Sequence, residues 1–248
     1  MMTLYPPSAG STESTLVAPW YLQVARGLVP GASAVNVYGY TSAAPSTGFG
    51  AIWEGGTTAY TFPSSAGVPV YASTSTETLT MSVSGVDASN NSITDTVTFS
   101  AGTTGTAANG YSFFRINSMR LLTATNAGII TAKISGTTYA QINAGAGQTQ
   151  MSVYSVPNGY TFYLLRVNVY SNNNGSQYTT YRVTTNVPTT GPQIQLLNSP
   201  FTAEYSTIRV VPRSYVQKTD IQWQVQNSTS GNPVGIQVEG VLISNTAV

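Results

Sequence analysis

Hydrophobic and polar residues alternate along several stretches of the chain, which is the pattern of half-buried β-strands. Residues 79–84 alternate in this way, the polar turn 87–92 follows, and a second alternation runs over 93–99. These stretches predict a β-hairpin, followed by a Gly/Thr/Ala loop at 101–110. Asp95 interrupts the apolar face of the second strand near the turn, where we expect its carboxylate to stay solvated.

The same alternation predicts strands along the rest of the chain. They lie at 35–40, 52–56, 114–116, 129–134, 150–154, 161–170, 178–183, 193–197, 205–211, 221–225 and 235–243. We expect a bulge where Glu239 and Gly240 interrupt the last of these strands. No stretch has the pattern of a long amphipathic helix, and β-branched and aromatic residues dominate. Short strands separated by turns predict one large or two small β-sandwiches.

Residues 1–34 differ from the remainder because Pro and Gly punctuate them repeatedly. This segment is predicted to be an N-terminal arm. It carries Trp20 and Tyr21, large side chains that are seldom left singly in water. Two interpretations stay open: the arm packs on its own domain, or it docks on a neighbouring subunit.

The composition excludes several classes of protein. The 248 residues are 41% hydrophobic, enough for a core, but only 7% are charged, against about 25% in an ordinary soluble domain. With no His and no Cys, a Ser-His-Asp triad, a thiolate nucleophile, a disulfide and an ordinary zinc site are all excluded. A net charge of +1 argues against a nucleic-acid surface. A nearly uncharged surface favours association with other proteins.

The sequence lacks the basic and apolar regions of a signal peptide and any apolar run long enough to span a membrane. We therefore expect a protein that is made and used without secretory export and that contacts no membrane.

Carboxylates are the only plausible catalytic groups, and their spacing pairs no two of them. We expect solvated turn and rim residues, with a local ion pair in the cluster 218–220, and neither a metal site nor a cofactor. The chain is therefore predicted not to be an enzyme. The carboxylates are Glu13, Glu54, Glu77, Asp87, Asp95, Glu204, Asp220 and Glu239.

The 16 Tyr and 3 Trp, together with many Asn and Gln, leave a second hypothesis open. Flat rings and amides can build a saccharide-binding face. The other interpretation is that Tyr fills half-exposed strand positions.

Several motifs together resemble a family of virion structural proteins of tailed bacteriophages. The resemblance covers most of residues 25–243, and the order of the motifs is more specific than any one of them. The motifs are VSGVDASNNSITDTVTF at 83–99, FRINSM at 114–119, NAGII at 126–130, QTQ at 148–150, YSVPNGY at 154–160 and KTD at 218–220, with further likeness at 25–27, 53–56 and 204–221.

This resemblance implies a particle component without catalytic residues. Combined with the strand pattern, it predicts an all-β, jelly-roll-like sandwich that decorates and cements the outer surface of the phage head, after synthesis in the host cytoplasm. The expected partners are the major capsid protein and further copies of the chain, as a dimer or trimer. The alternative is a tail or fibre component that binds host surface polysaccharide.

We expect three units: the arm at 1–34, a β-sandwich region at 35–115 and a jelly-roll-like sandwich at 116–248. The candidate subunit-interface residues are Tyr5, Trp20, Tyr21 and Leu22.

Overall fold

The described part of the chain is almost entirely antiparallel β-structure. A computed structural model describes residues 19–56 and 60–246 of the protein, and at 195–199 it describes the backbone alone. In these ranges no helix has the length and hydrophobicity needed to cross a membrane. The elements are α1 (Trp20–Ala25), β1 (Ala32–Thr41), β2 (Gly50–Ala51), β3 (Val70–Val86), β4 (Ser92–Ala107), β5 (Arg115–Leu121), β6 (Ile130–Ile134), β7 (Thr137–Ile142), β8 (Val153–Ser155), β9 (Tyr160–Ser171), β10 (Thr179–Val187), β11 (Gly191–Phe201), β12 (Glu204–Tyr215), β13 (Asp220–Asn227) and β14 (Val234–Ser244).

Eight of these strands form the main paths of a two-sheet sandwich, and the short β8 adds a ninth strand to the second sheet. One sheet has the order β1-β14-β9-β12 and the other β11-β10-β13-β2, and the chain passes between the sheets from β1 to β2, β9 to β10, β11 to β12 and β13 to β14. This order is that of a jelly roll, an eight-stranded double sheet. The prediction of an all-β, jelly-roll-like sandwich is confirmed. Trp223, Phe162 and Val238 are buried in the core between the two sheets.

A third sheet is inserted into the jelly roll between β2 and β9. It contains β4, β3, β6 and β7 in that order, and β5 also pairs with β3. A second apolar core, which includes Met81, Phe99 and Ile130, lies beneath this sheet. The chain then returns through β8, which pairs with β13 of the sandwich. The molecule is therefore one sandwich carrying one inserted sheet.

The sheets do not follow the order of the chain. β1 and β2 pair with strands of the second half, whereas β5, β6 and β7 join the sheet of β3 and β4. The predicted division of the chain into three domains, with boundaries after residues 34 and 115, is not tested by this strand pairing and stays a prediction. In the strand pairing, β1 already begins at Ala32, inside the predicted arm.

The predicted loop at 101–110 is wrong over most of its length. β4 continues to Ala107 because Ala72 and Tyr71 of β3 pair with Thr104 and Gly105. Long-range pairing thus overrides the weak strand propensity of a Gly/Thr/Ala sequence. The pattern also missed β7. The bulge in β14 is confirmed, since the register between β14 and β9 shifts between Glu239 and Gly240.

Candidate interaction surfaces

The predicted interface residues lie on the short helix α1. Trp20, Tyr21 and Leu22 are 41%, 67% and 44% exposed, and Leu28, just beyond the helix, is also exposed. We call these four residues the α1 group. Tyr5 lies outside the described residues. Exposed large apolar side chains close together are typical of a protein contact surface.

The helix is held to the sandwich although its outer side chains are exposed. Pro19 precedes α1 and its carbonyl accepts hydrogen bonds from the N–H groups of Leu22 and Gln23. Gly27, with a φ of +71°, allows the chain to leave the helix. Val24 is buried, and α1 packs against β1. The α1 group is thus presented on an anchored base.

A second exposed apolar surface lies on β12, at the edge of its sheet. Its pairing with β9 jumps from Ile208–Arg166 to Arg213–Leu164, so four residues of β12 stand opposite a single residue of β9. Within this bulge Val210 is 98% exposed. We call Ile208, Val210 and Val211, all exposed, the β12 bulge group.

Sequence reasoning placed 205–211 in a strand and missed this bulge. The signal was present, because two adjacent valines break the alternation. Pro212 follows them and has no N–H to donate to a neighbouring strand.

A cleft of about 620 Å³ separates the sandwich from the inserted sheet. Residues 33–38 of β1 form one wall, and residues 117–120 of β5 form much of the other. Most of the side chains are amides, hydroxyls and small apolar groups. Arg120, which is exposed, is the one formal charge among the described lining residues. The cleft was not foreseen, because its walls come from strands far apart in sequence.

A buried ion pair joins the inserted sheet to the sandwich. Arg115, the first residue of β5, donates from Nη2 to Oδ2 of Asp220, the first residue of β13, at 2.9 Å. Nε of Arg115 also contacts both carboxylate oxygens at 3.1 Å. Ser155 of β8 donates to the same carboxylate at 2.5 Å, and Asn117 exchanges two hydrogen bonds with the backbone of Ser155. We call Arg115, Asn117, Ser155 and Asp220 the junction.

The junction corrects the expectation of a local, exposed ion pair at 218–220. Asp220 is buried and its partner is Arg115, not Lys218. The guanidinium of Arg115 also lies over the ring of Phe114, with Cζ 3.7 Å from the ring centroid. The junction sets the position of β5 relative to the sandwich and therefore the shape of the cleft.

The expectation of solvated carboxylates is also wrong for Asp95 and Glu77, since both are buried. Asp95 accepts hydrogen bonds from the backbone N–H groups of Thr96, Asn109 and Tyr111. Burial by itself would raise the pKa of Asp95, but these bonds outweigh burial, and the pKa lies below its usual 3.8. Asp95 therefore fixes the conformation of the loop that follows β4.

Asp95→Asn is expected to lower the free energy of unfolding at neutral pH and to weaken its dependence on acid. The folded state holds the proton of Asp95 less tightly than the unfolded state. The stabilisation is therefore present at neutral pH and is lost as the pH falls through the folded pKa, below 3.8. Urea unfolding across this acidic range measures the slope. Asp87→Asn, in a turn that accepts asparagine equally well, is the control; equal slopes for both variants would contradict the prediction.

Glu77 and Asp220, like Asp95, are buried and hydrogen-bonded. Glu77 accepts hydrogen bonds from the N–H groups of Ala127 and Gly128, and Asp220 serves the junction. Within residues 19–56 and 60–246, no three acidic side chains gather in a way that could hold a metal ion. The buried carboxylates of this part of the chain are thus engaged in structural hydrogen bonds.

Comparisons with protein-family models, with curated proteins and with solved structures find no match to this chain. The resemblance to phage virion proteins therefore stays a prediction.

Proposed function

We propose that the chain is a structural protein of a tailed-phage particle, and that it lies on the outside of the head shell as a cement or decoration protein. The observation that carries the proposal is the α1 group, a set of exposed aromatic and aliphatic side chains on a helix anchored to a rigid jelly roll. Jelly rolls are common in viral capsid proteins, which supports the proposal. A fold alone does not establish function.

The proposed mechanism is passive. The jelly roll and its inserted sheet place a nearly uncharged surface across the junctions between shell subunits. Apolar area buried there contributes about 25 cal/mol per Å² before the costs of association. Many copies binding together multiply a weak individual contact. With 9 basic and 8 acidic residues in the whole chain, the contact depends little on ionic strength.

The natural unit of such a protein is a closed dimer or trimer. The proposed partners are the major capsid protein and further copies of this chain, and the proposal includes no catalytic step. The acidic residues allow a test of whether the protein catalyses a reaction. If replacing a single exposed carboxylate abolished a glycan-cleaving activity of the particle, an enzyme would replace the cement protein as the best proposal.

Leu22→Ser is expected to weaken binding of the full chain to undecorated shells by about tenfold or more, because apolar anchors carry most of the energy of a contact. Co-sedimentation with shells measures the affinity. Leu122→Ser is the matched control, since Leu122 is 50% exposed, against 44% for Leu22, but lies beyond β5 on the inserted sheet. Equal loss in both variants, or none in either, would count against the α1 group as the contact surface.

The cleft favours a second candidate, a tail or fibre component that binds host surface polysaccharide. Asn36 and Gln148 supply amides along its walls, and the half-exposed Tyr38 supplies a ring. Amides and flat rings suit sugar hydroxyls and sugar faces. Binding of the full chain to purified host polysaccharide, lost in Asn36→Ala, would favour this candidate. Absence of binding would remove this candidate and leave the cement protein as the remaining proposal.

A further inference from the structure

We infer that the cleft is the docking site for an extended segment of a second copy of this chain, residues 11–18, which adds as a strand to the open edge of β1. This inference rests on the proposed function in one respect: it names a further copy of the chain, one of the two proposed partners, as the partner of the α1 group. Addition of a strand to an exposed sheet edge is a recurrent mode of recognition, in which backbone hydrogen bonds supply the affinity.

The first argument is the open edge itself. β1 lies at the end of its sheet and pairs only with β14 in the described part of the chain. The N–H of Tyr40 points away from β14, because it donates to the carbonyl of Gln150 at 3.2 Å. Backbone groups alternate between the two sides of a strand. The N–H and C=O groups of Ala34, Asn36 and Tyr38 therefore face the cleft as well.

These edge groups lack backbone partners within the described residues. An unpaired edge is a hazard that proteins ordinarily cover or blunt. Here the edge borders a cleft that follows β1 over residues 33–38, about 20 Å of strand at the usual rise per residue. The inserted sheet walls the cleft on the other side, so an added strand would be enclosed rather than left on the surface.

The second argument is the sequence of the proposed occupant. Residues 11–18 read Ser-Thr-Glu-Ser-Thr-Leu-Val-Ala. They contain no Pro and no Gly, and Thr12, Thr15 and Val17 are β-branched, so the segment can form a strand.

The charges of the segment and of the cleft are also complementary. The segment carries one formal charge, Glu13, and the described lining of the cleft carries one of the opposite sign, Arg120. Among the described residues Arg120 makes no ion pair. Opposite charges at a docking site favour the correct partner and register.

The third argument decides between a second copy and the same chain. The segment is followed directly by Pro19 and the α1 group, whose side chains are exposed. If residues 11–18 cross to a neighbour, α1 is brought against that neighbour, and Trp20, Tyr21 and Leu22 are buried in the same contact. If they enter the cleft of their own chain, this contact between copies does not form. Exchange between copies therefore accounts for both the open edge and the exposed helix.

Cysteine cross-linking tests the inference in the full-length protein, because the natural chain contains no Cys. Thr15→Cys and Ser118→Cys are prepared as separate variants, mixed and oxidised. Ser118 is exposed and lines the cleft. We expect a disulfide-linked dimer of the two variants, at a yield several-fold above that of Thr15→Cys mixed with Thr202→Cys. Thr202, exposed in the turn between β11 and β12, is the matched control.

The other outcomes overturn the inference. A third variant carries both Thr15→Cys and Ser118→Cys in one chain. If a cross-link forms only in this double variant, at the mass of a monomer, the segment lies in the cleft of its own chain. Equal yields with Ser118→Cys and Thr202→Cys mean that the cleft is not the docking site. A charge test supplements the yield: Arg120→Glu is expected to reduce the cross-link several-fold, and Glu13→Arg in the partner variant is expected to restore it. No restoration would remove Glu13 and Arg120 from the contact.

Discussion

Asp220→Asn is expected to reduce the free energy of unfolding by about 3–5 kcal/mol, the usual cost of removing one partner of a buried ion pair. The Arg115 guanidinium then stays buried against a neutral amide. Ser155 also loses a charged acceptor. Urea unfolding, followed by circular dichroism and by Trp fluorescence, measures the change. Coincident transitions of the two signals establish that a single free energy applies.

Two comparisons make this result specific to the junction. Glu204→Gln alters an exposed carboxylate and is expected to change stability by no more than about 0.5 kcal/mol. The double variant Arg115→Met, Asp220→Asn leaves no unpaired buried charge, so its loss is expected to be smaller than the sum of the two single losses. Equal effects of Asp220→Asn and Glu204→Gln would contradict the buried pair.

Trp223→Ala is expected to cost about 3–5 kcal/mol, because it leaves a cavity in the core of the jelly roll. The Trp223 side chain is fully buried on β13, opposite Val183 of β10. Its ring N–H has no hydrogen-bond partner among the described residues, so the loss reflects packing rather than a broken hydrogen bond. The backbone of Trp223 bonds to Ser152, and the substitution retains those bonds.

Trp20→Ala is the matched control, since the same atoms are removed from a side chain that is 41% exposed. Its effect on the free energy of unfolding is expected to be below about 1 kcal/mol. Urea denaturation of both variants provides the comparison. A Trp223→Ala variant as stable as Trp20→Ala would mean that the two sheets do not pack around Trp223.

The strands themselves could be predicted because alternation is a local property. Residues 79–84, 93–99 and 221–225 alternate, and each lies within an observed strand. The turn at 87–92 and the bulge at Glu239 follow from local chemistry in the same way. The order of strands in the sheets is not local. β1 pairs with β14 at the opposite end of the chain, and nothing near Val35 indicates that partner.

Burial of polar groups could not be predicted for the same reason. Asp95 accepts its hydrogen bonds partly from Asn109 and Tyr111, and Asp220 meets Arg115 across about a hundred residues of chain. Gln222 and Gln224 alternate with apolar residues as surface side chains do, yet both are buried. The Arg182 side chain, which stacks on Phe49, donates to Gln224. Such partners are assembled only by the tertiary fold.

The candidate surfaces could likewise be predicted from the sequence only in part. Trp20, Tyr21 and Leu22 were predicted from their chemistry within an irregular segment, and the structure places them exposed on α1. The β12 bulge group was not predicted, although Pro212 indicates an interruption of the strand. The cleft depends on the junction and on strands from three parts of the chain, so no single stretch of sequence contains its signal.

Quantitative mass spectrometry of purified particles tests the central claim most directly. The particles are those of the phage that encodes this chain according to the cement proposal, and copies of the chain are counted against the major shell protein. The cement proposal predicts a ratio comparable to that of the shell protein. A handful of copies would move the chain to the tail and favour polysaccharide binding. Absence of the chain from the particles would contradict the account.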